Sequence, residues 1–324
     1  VLAVGSVLTP TMTTNAGLIW TLGVMSAAGA AAGSFSILLG IAAQRLPAHQ
    51  RSSAAGIINA GGSLGQFAFA PVMQLIISTA GWATAMFATA AAALLTIPLA
   101  LALYVKKSVA SVMPGAQTIA PTMSLGEQVR LAMRDRSYLC LHAGFFTCGF
   151  HIAFLVTHLP SDIEMCGLSP AVGALSLSLI GLFNVAGSLS AGWLGNVYRM
   201  KYLLAGIYGL RALIVAAYVV MPKTALNVYI FAAALGFTWL ATVPPTSGLV
   251  GKLFGTRYLA TLFGLTLVSH QIGGFLGAWL GGIAVTKTGS YEWMWYADIA
   301  LAIAAAVINL PIRESSPRAE PVPA

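Results

Sequence analysis

Five ionisable side chains stand inside stretches that are otherwise apolar: His142, His151, Arg211, His270 and Asp298. A charge in hydrocarbon is costly, so groups of this kind mark functional positions by default. Their chemistry is that of moving protons and holding anions, because histidine titrates near neutral pH and the arginine fork matches a carboxylate with two parallel bonds. Helical rise places them at one depth. At 1.5 Å per residue Arg211 lies about 15 Å from Lys201, Asn184 about 16 Å from Gly195, His270 about 17 Å from Leu259 and His151 about 18 Å from Leu139, all near mid-bilayer. His151 and His270 are read as cavity groups able to carry a coupling proton, against the alternative of hydrogen-bonded packing histidines. Two roles are open to Arg211: a contact to a bound carboxylate, or a structural pair with Asp298.

Neutral polar groups at helical spacing accompany them. Asn59, Ser63, Gln66, Ala70 and Gln74 share one face of a segment, and Gly181, Asn184, Ser188, Gly192 and Gly195 share one face of another. Amides facing lipid would cost several kcal/mol unless satisfied, so both faces are expected to look inward. Thr238, Trp239 and Trp20 are candidates for cavity walls. Pro244 and Pro245 are expected to interrupt the backbone ladder of their segment, which is tolerated at membrane depth only beside protein or water.

The elements that must position these groups follow from composition. Of 324 residues, 58% are hydrophobic and 7% charged, with mean hydropathy +0.85; this is an integral membrane protein. The net charge of +8 would suggest nucleic acid in a soluble chain, but here the basic residues separate apolar segments long enough to span a bilayer. An opening apolar stub to Pro10 precedes nine such segments, at 16–43, 53–78, 82–105, 137–158, 169–194, 202–222, 226–250, 258–285 and 291–311. The chain begins at Val1, inside an apolar run, with neither the basic start nor the cleavage site of a secretory signal. Between the halves, Val105 to Arg136 is the one long polar segment before the C-terminal tail. It contains Lys106, Lys107, Arg130, Arg134 and Arg136, and is broken by Pro114, Gly115 and Pro121. Ser124 and Glu127 form a capping-box pattern opening a short amphipathic helix, read either as lying on an anionic membrane surface or as part of a soluble spacer.

Cytoplasmic loops accumulate Lys and Arg. Thirteen basic residues fall on one side, including the linker, Arg45, Arg51, Arg199, Lys201, Lys252, Arg257, Arg313 and Arg318, against Lys223 and Lys287 on the other. Linker and C-terminus are therefore expected in the cytoplasm, in a bacterial inner membrane, with Pro160 to Gly167 outside.

Adding 208 to Gly40, Gly56, Gly65, Phe67 and Gly81 gives Gly248, Gly264, Gly273, Phe275 and Gly289. The halves repeat in parallel, an arrangement used by two-bundle secondary transporters. The same offset places two spans and part of a third before Val1.

Two six-span halves, a basic central loop and cytoplasmic termini resemble the major facilitator superfamily of transporters. The resemblance makes the stub and the nine segments the third to twelfth helices of that all-helical two-bundle fold. It implies an incomplete N-terminal bundle over 1–105, a cytoplasmic linker over 106–136, a six-helix C-terminal bundle over 137–311 and a cytoplasmic tail over 312–324. Gly192-Trp193-Leu194-Gly195-Asn196-Val197-Tyr198-Arg199-Met200-Lys201 resembles the family's Gly-x-x-x-Asp-Arg-x-Gly-Arg-Arg loop, which implies structural or gating roles for Gly192, Gly195, Asn196, Arg199 and Lys201. Asn196 stands where the acidic residue is usual, which puts charge-relay gating there in doubt. Gly81-Trp82, and the run from Cys148-Gly149-Phe150-His151 to Thr157-His158-Leu159-Pro160, are similar to bacterial monocarboxylate and oxalate-formate type carriers.

These readings converge on alternating-access transport of a small organic anion, a monocarboxylate or dicarboxylate, coupled to protons or to exchange. The alternatives are proton-coupled efflux of amphipathic drug-like compounds and, in another class, a membrane receptor or scaffold. An enzyme is not expected. Gly61-Gly62-Ser63-Leu64-Gly65 has the Gly-x-Ser-x-Gly form but lies within an apolar helix, not at a strand-turn-helix elbow. No HExxH, ATP-binding or CxxC pattern occurs, Cys140, Cys148 and Cys166 read as packing residues, and no cofactor, metal or nucleic-acid partner is implied.

Overall fold

Long apolar runs broken by Gly and Pro dictate helices, because in lipid each backbone N–H and C=O must be satisfied within its own segment. A computed structural model describes residues 1–103 and 123–314, and every regular element among them is helical. Lys106, Lys107, Pro114, Gly115, Pro121, Arg318 and the side chains of Gln66, Ala70 and Gln74 lie outside the described residues.

The described residues form two compact units, 1–34 with 68–124, and 35–67 with 125–324. In the first, α1 (Leu2–Leu8) and a 3₁₀ turn at Thr9–Thr11 precede α2 (Asn15–Leu18), a wide-turn segment at Ile19–Ser26 and α3 (Ala27–Ala32). α1 packs closely on this hairpin: a Cβ at Gly29 would collide with the Leu2 backbone, and one at Gly5 would stand 2.8 Å from Ser26 Oγ. α4 (Phe35–Arg45) opens the second unit, and α5 (Ala48–Leu94) begins in it. α6 is Thr96–Leu103.

The second unit continues with α7 (Leu125–Ala132), which starts directly after Ser124 as the capping pattern predicts, and α8 (Arg136–Met165). There follow α9 (Pro170–Val197), α10 (Met200–Val220), α11 (Ala225–Thr238), α12 (Val243–Phe254), α13 (Leu259–Thr288) and α14 (Glu292–Asn309). Seven helices among the described residues are long and apolar enough to cross a membrane, with α11 and α12 counted as one broken span from Ala225 to Phe254. The expected segments 53–78 and 82–105 meet within α5, which turns sharply at Gly81 (φ 83°, ψ 163°). Its partner in the 208-residue repeat, Gly289, caps α13 with φ 67°. Both have positive φ, which favours a residue without Cβ, but ψ is 163° at Gly81 and 14° at Gly289, so the pair shares the demand for glycine and not one conformation.

Small residues set the helix seams, since hydrophobicity does not drive association in lipid. A Cβ on Gly149, Gly273 or Gly277 would strike the backbone of the facing helix in the α8–α13 seam, at His270, Phe146 and Phe150 respectively. Gly56 of α5 and Gly192 of α9 face one another in the same way. On the side expected to face outward, Tyr218 Oη donates to Asp162 Oδ2 at 2.8 Å, and Lys223 Nζ sits 3.7 Å above the Tyr218 ring. Burial holds the Lys223 ammonium below its ordinary pKa, opposed by the nearby Asp162 charge.

Candidate functional site

The site is built around the gap between α11 and α12. Proline has no N–H, so Pro244 and Pro245 cannot donate to the carbonyls four residues earlier, those of Leu240 and Ala241. The ladder is interrupted as expected: the prolines lie in the first turn of α12, and the opened stretch precedes them at Trp239 to Thr242. The displacement follows from the i−4 reach of the lost bonds.

Side chains from three other helices satisfy this stretch. Arg211 of α10, fully buried, donates through Nη2 to the Thr238 and Trp239 carbonyls, the latter at 2.7 Å. Asn59 Nδ2 of α5 donates to the Leu240 carbonyl at 3.2 Å and to Ser188 Oγ at 2.6 Å. Asn184 Oδ1 of α9 accepts from the Leu240 N–H at 2.9 Å, while its Nδ2 donates to Ser63 Oγ at 2.6 Å. Ser188 Oγ donates back to Asn184 Oδ1 at 3.3 Å. Asn59 and Ser63 of α5 and Asn184 and Ser188 of α9 therefore look inward, towards the broken span and each other.

Asp298 of α14 is not paired with Arg211. Its Oδ2 lies 2.5 Å from His151 Nδ1, and neither side chain has any exposed surface. Arg211 turns instead to the carbonyls freed by the helix break, which offer a closely spaced acceptor pair, and stacks on the Tyr208 ring at 5.4 Å. One proton is shared between His151 Nδ1 and Asp298 Oδ2. Among the described residues His151 Nε2, Asp298 Oδ1 and Arg211 Nε and Nη1 have no hydrogen-bond partner. Unpaired donors and acceptors are thus gathered in one dry cluster, beside the Trp239 ring, which is 5.7 Å from His151.

His270 is half-buried, 5.2 Å from the Phe145 ring; the nearby Cys148 thiol of α8 stands 3.4 Å from Thr242 Oγ1. His142 Nδ1 is 2.7 Å from Ser269 Oγ. Thr238 and Trp239 are buried, and they contribute carbonyls as well as side chains. Trp20 is 63% exposed in the other unit.

The loop from Gly192 to Lys201 forms a separate set. Asn196 Nδ2 donates to Ser53 Oγ at 2.6 Å, a bond in which a carboxylate would have to accept. A Cβ on Gly195 would collide with Ser52 Oγ. Arg199 is the N-cap of α10, and Lys201 Nζ donates to the Leu310 carbonyl at 3.0 Å. Glu314, which the sequence reading passed over, accepts from the Met200 and Lys201 amides at 3.1 Å each and pairs with Lys252 at 2.8 Å. Its signal was a carboxylate directly following the last span, beside Arg313.

An all-helical protein with many apolar spans and a polar break held at depth by Arg, Asn and His side chains is a multi-pass membrane protein of the transporter fold class. This chain belongs to the Major Facilitator Superfamily, whose family model matches residues 1–278. It is 28% identical over 297 residues to monocarboxylate transporter 13 of Bos taurus, covering 89% of this chain and 66% of that relative. The Rattus norvegicus transporter of the same name is 27% identical, with 89% and 65% covered. The chain thus spans just under two thirds of the length of these relatives, both of which are named transporters and not enzymes. The solved E. coli fucose:proton symporter FucP shares the fold, with TM-score 0.71 at 13% identity over 97% of this chain and 82% of that one. The resemblance to monocarboxylate carriers read from the sequence is borne out.

Proposed function

We propose that this protein is a secondary active transporter that moves a small organic anion, a monocarboxylate or dicarboxylate, by alternating access. The observation that carries the reading is the fully buried group of Arg211, His151 and Asp298 beside the opened backbone at Trp239 to Thr242. Burying these charges is costly unless they act, and a broken span is a hinge that can be held or released. The His151–Asp298 pair is the proton-exchanging element, and His270 with Trp239 forms the wall beside it. Arg211 holds the hinge and offers its free Nε edge to a substrate carboxylate. The names of the monocarboxylate relatives support the anion, and the FucP symporter's name supports proton coupling.

Nine complete spans, the division into bundles over 1–105 and 137–311 with linker 106–136 and tail 312–324, and a cytoplasmic linker and C-terminus belong to the same proposal. The loop residues Gly192, Gly195, Asn196, Arg199 and Lys201 are assigned to gating.

The test is uptake by the protein of the complete gene in proteoliposomes, using labelled monocarboxylates and dicarboxylates with and without an imposed proton gradient. Accumulation of an acid that rises with an inward proton gradient, or exchange against preloaded acid, is expected. Transport of amphipathic cations and of none of the acids overturns the substrate class, and no flux of any kind points to a receptor or scaffold. A cysteine tag at Ser161 is expected to react only from outside; labelling only from the cytoplasmic side reverses the orientation.

A further inference from the structure

A second region, at the end of the bundle where α7 meets the start of α8 and the ends of α12 and α14, bears no relation to the hinge. A cleft of about 1050 Å³ opens there, lined by Arg134, Arg136, Arg313, Leu131, Leu253 and Phe254 among others. Three guanidinium groups share it with one carboxylate, Asp135, whose position is already fixed. Asp135 Oδ1 caps α8 by accepting from the Ser137 and Tyr138 amides at 2.7 and 3.2 Å, and its Oδ2 takes Arg313 at 2.6 Å. Arg313 is held further by its own N–H, which donates to Ser137 Oγ at 3.0 Å. Arg134 and Arg136 are exposed, with no charged partner among the described residues.

The apolar side of the cleft is equally unspent. Leu131 in its lining is 52% exposed, and outside the lining Leu125 and Met133, on and just past α7, and Leu139 on the first turn of α8 are also exposed. Apolar side chains beside free arginines, at the level where spans end, match a ligand with a phosphate at one end and hydrocarbon at the other. A wholly soluble anion would leave the leucines in water, and bare hydrocarbon would leave the arginines unused. We infer that this cleft is a binding site for one anionic phospholipid, its phosphodiester held by Arg134 and Arg136 with Arg313 at the rim, and an acyl chain lying along Leu131, Leu253 and Phe254. Asp135 orients Arg313 and at the same time disfavours a second anion. The inference stands apart from transport and needs only that the chain is in a membrane.

The protein purified in neutral detergent, with phosphatidylglycerol or phosphatidylcholine added back, is examined by native mass spectrometry for retained lipid. One phosphatidylglycerol is expected to be retained in preference to phosphatidylcholine. In the double variant Arg134→Ala with Arg136→Ala that preference should fall by roughly 30-fold, at about fivefold per basic group near a membrane surface. Both positions are exposed, so folded yield is expected to hold, and a Leu131→Glu variant offers an independent loss through the acyl side. Inorganic phosphate at millimolar concentration should not compete. Equal retention of the two lipids, an unchanged preference in the double variant, or displacement by free phosphate each overturns the site.

Discussion

The broken span at Trp239 to Thr242 is held from two sides by different chemistry. On the α5 and α9 side the holders are neutral, Asn59, Ser63, Asn184 and Ser188, and every amide of that set reaches a partner. Facing α8, α10 and α14 the holders are ionisable, and four buried polar atoms of Arg211, His151 and Asp298 stay unpaired. Neutral amides can be satisfied once and then only fix geometry. Charged groups in a dry site respond to any proton or anion that arrives, because an unbalanced charge there costs several kcal/mol. The neutral side is therefore the fixed anchor of the hinge and the charged side its responsive half.

The largest effect is expected from Arg211→Ala, which removes the donor to two freed carbonyls and leaves both acceptors buried without it. A loss of roughly 2–6 kcal/mol is expected, at about 1–3 kcal/mol for each buried carbonyl left unsatisfied, read as folded yield and thermal unfolding in detergent. Adding Asp298→Ala should recover only part of it, since the carbonyls stay uncapped. Full recovery would show that Arg211 acts on Asp298 alone; an unchanged melting temperature in the single variant would remove Arg211 from the hinge.

Asn184→Ala probes the other side. It strands the Leu240 N–H and removes the acceptor of the Ser188 hydroxyl, while Ser63 keeps its bond to the Asn59 carbonyl, a cost of about 1–3 kcal/mol for a buried unsatisfied group. The pH profile of uptake should keep its shape. A shifted profile would mean that the neutral half also handles protons, and the comparison would collapse.

Asp298→Asn keeps the shape and removes the charge. A smaller loss of stability is expected than in Arg211→Ala, with proton-driven accumulation abolished and exchange retained. Proton-driven accumulation at the level of the parent protein would assign the proton elsewhere.

The smallest change in stability is expected for His270→Ala. The residue is only half-buried and its one side-chain partner at hydrogen-bond distance on its own helix is the adjacent Gln271, at 3.3 Å, so about 1 kcal/mol or less of folding energy is at stake. Uptake should fall nonetheless if the imidazole lines the cavity. Unchanged uptake at every pH would return His270 to packing.

The sequence by itself determined the class, the helical character of the described residues and the inward turn of Asn59, Ser63, Asn184 and Ser188. Those properties depend on hydropathy, a rise of 1.5 Å per residue and i, i+4 spacing, all local to one segment. It also pointed to the prolines of the broken span. What only the tertiary structure decided is which helices stand side by side and which way round each is turned. Depth placed Arg211 level with Asp298, but the rotation of α8 put His151 2.5 Å from that carboxylate, and the opened backbone of Trp239 drew Arg211 away. Glu314 was invisible for the same reason: its partners, Met200, Lys201 and Lys252, are over sixty residues distant in sequence or more. Pairing at a given depth is set by helix packing, and close packing here depends on where two glycine seams happen to meet, a property of the pair and of neither helix alone.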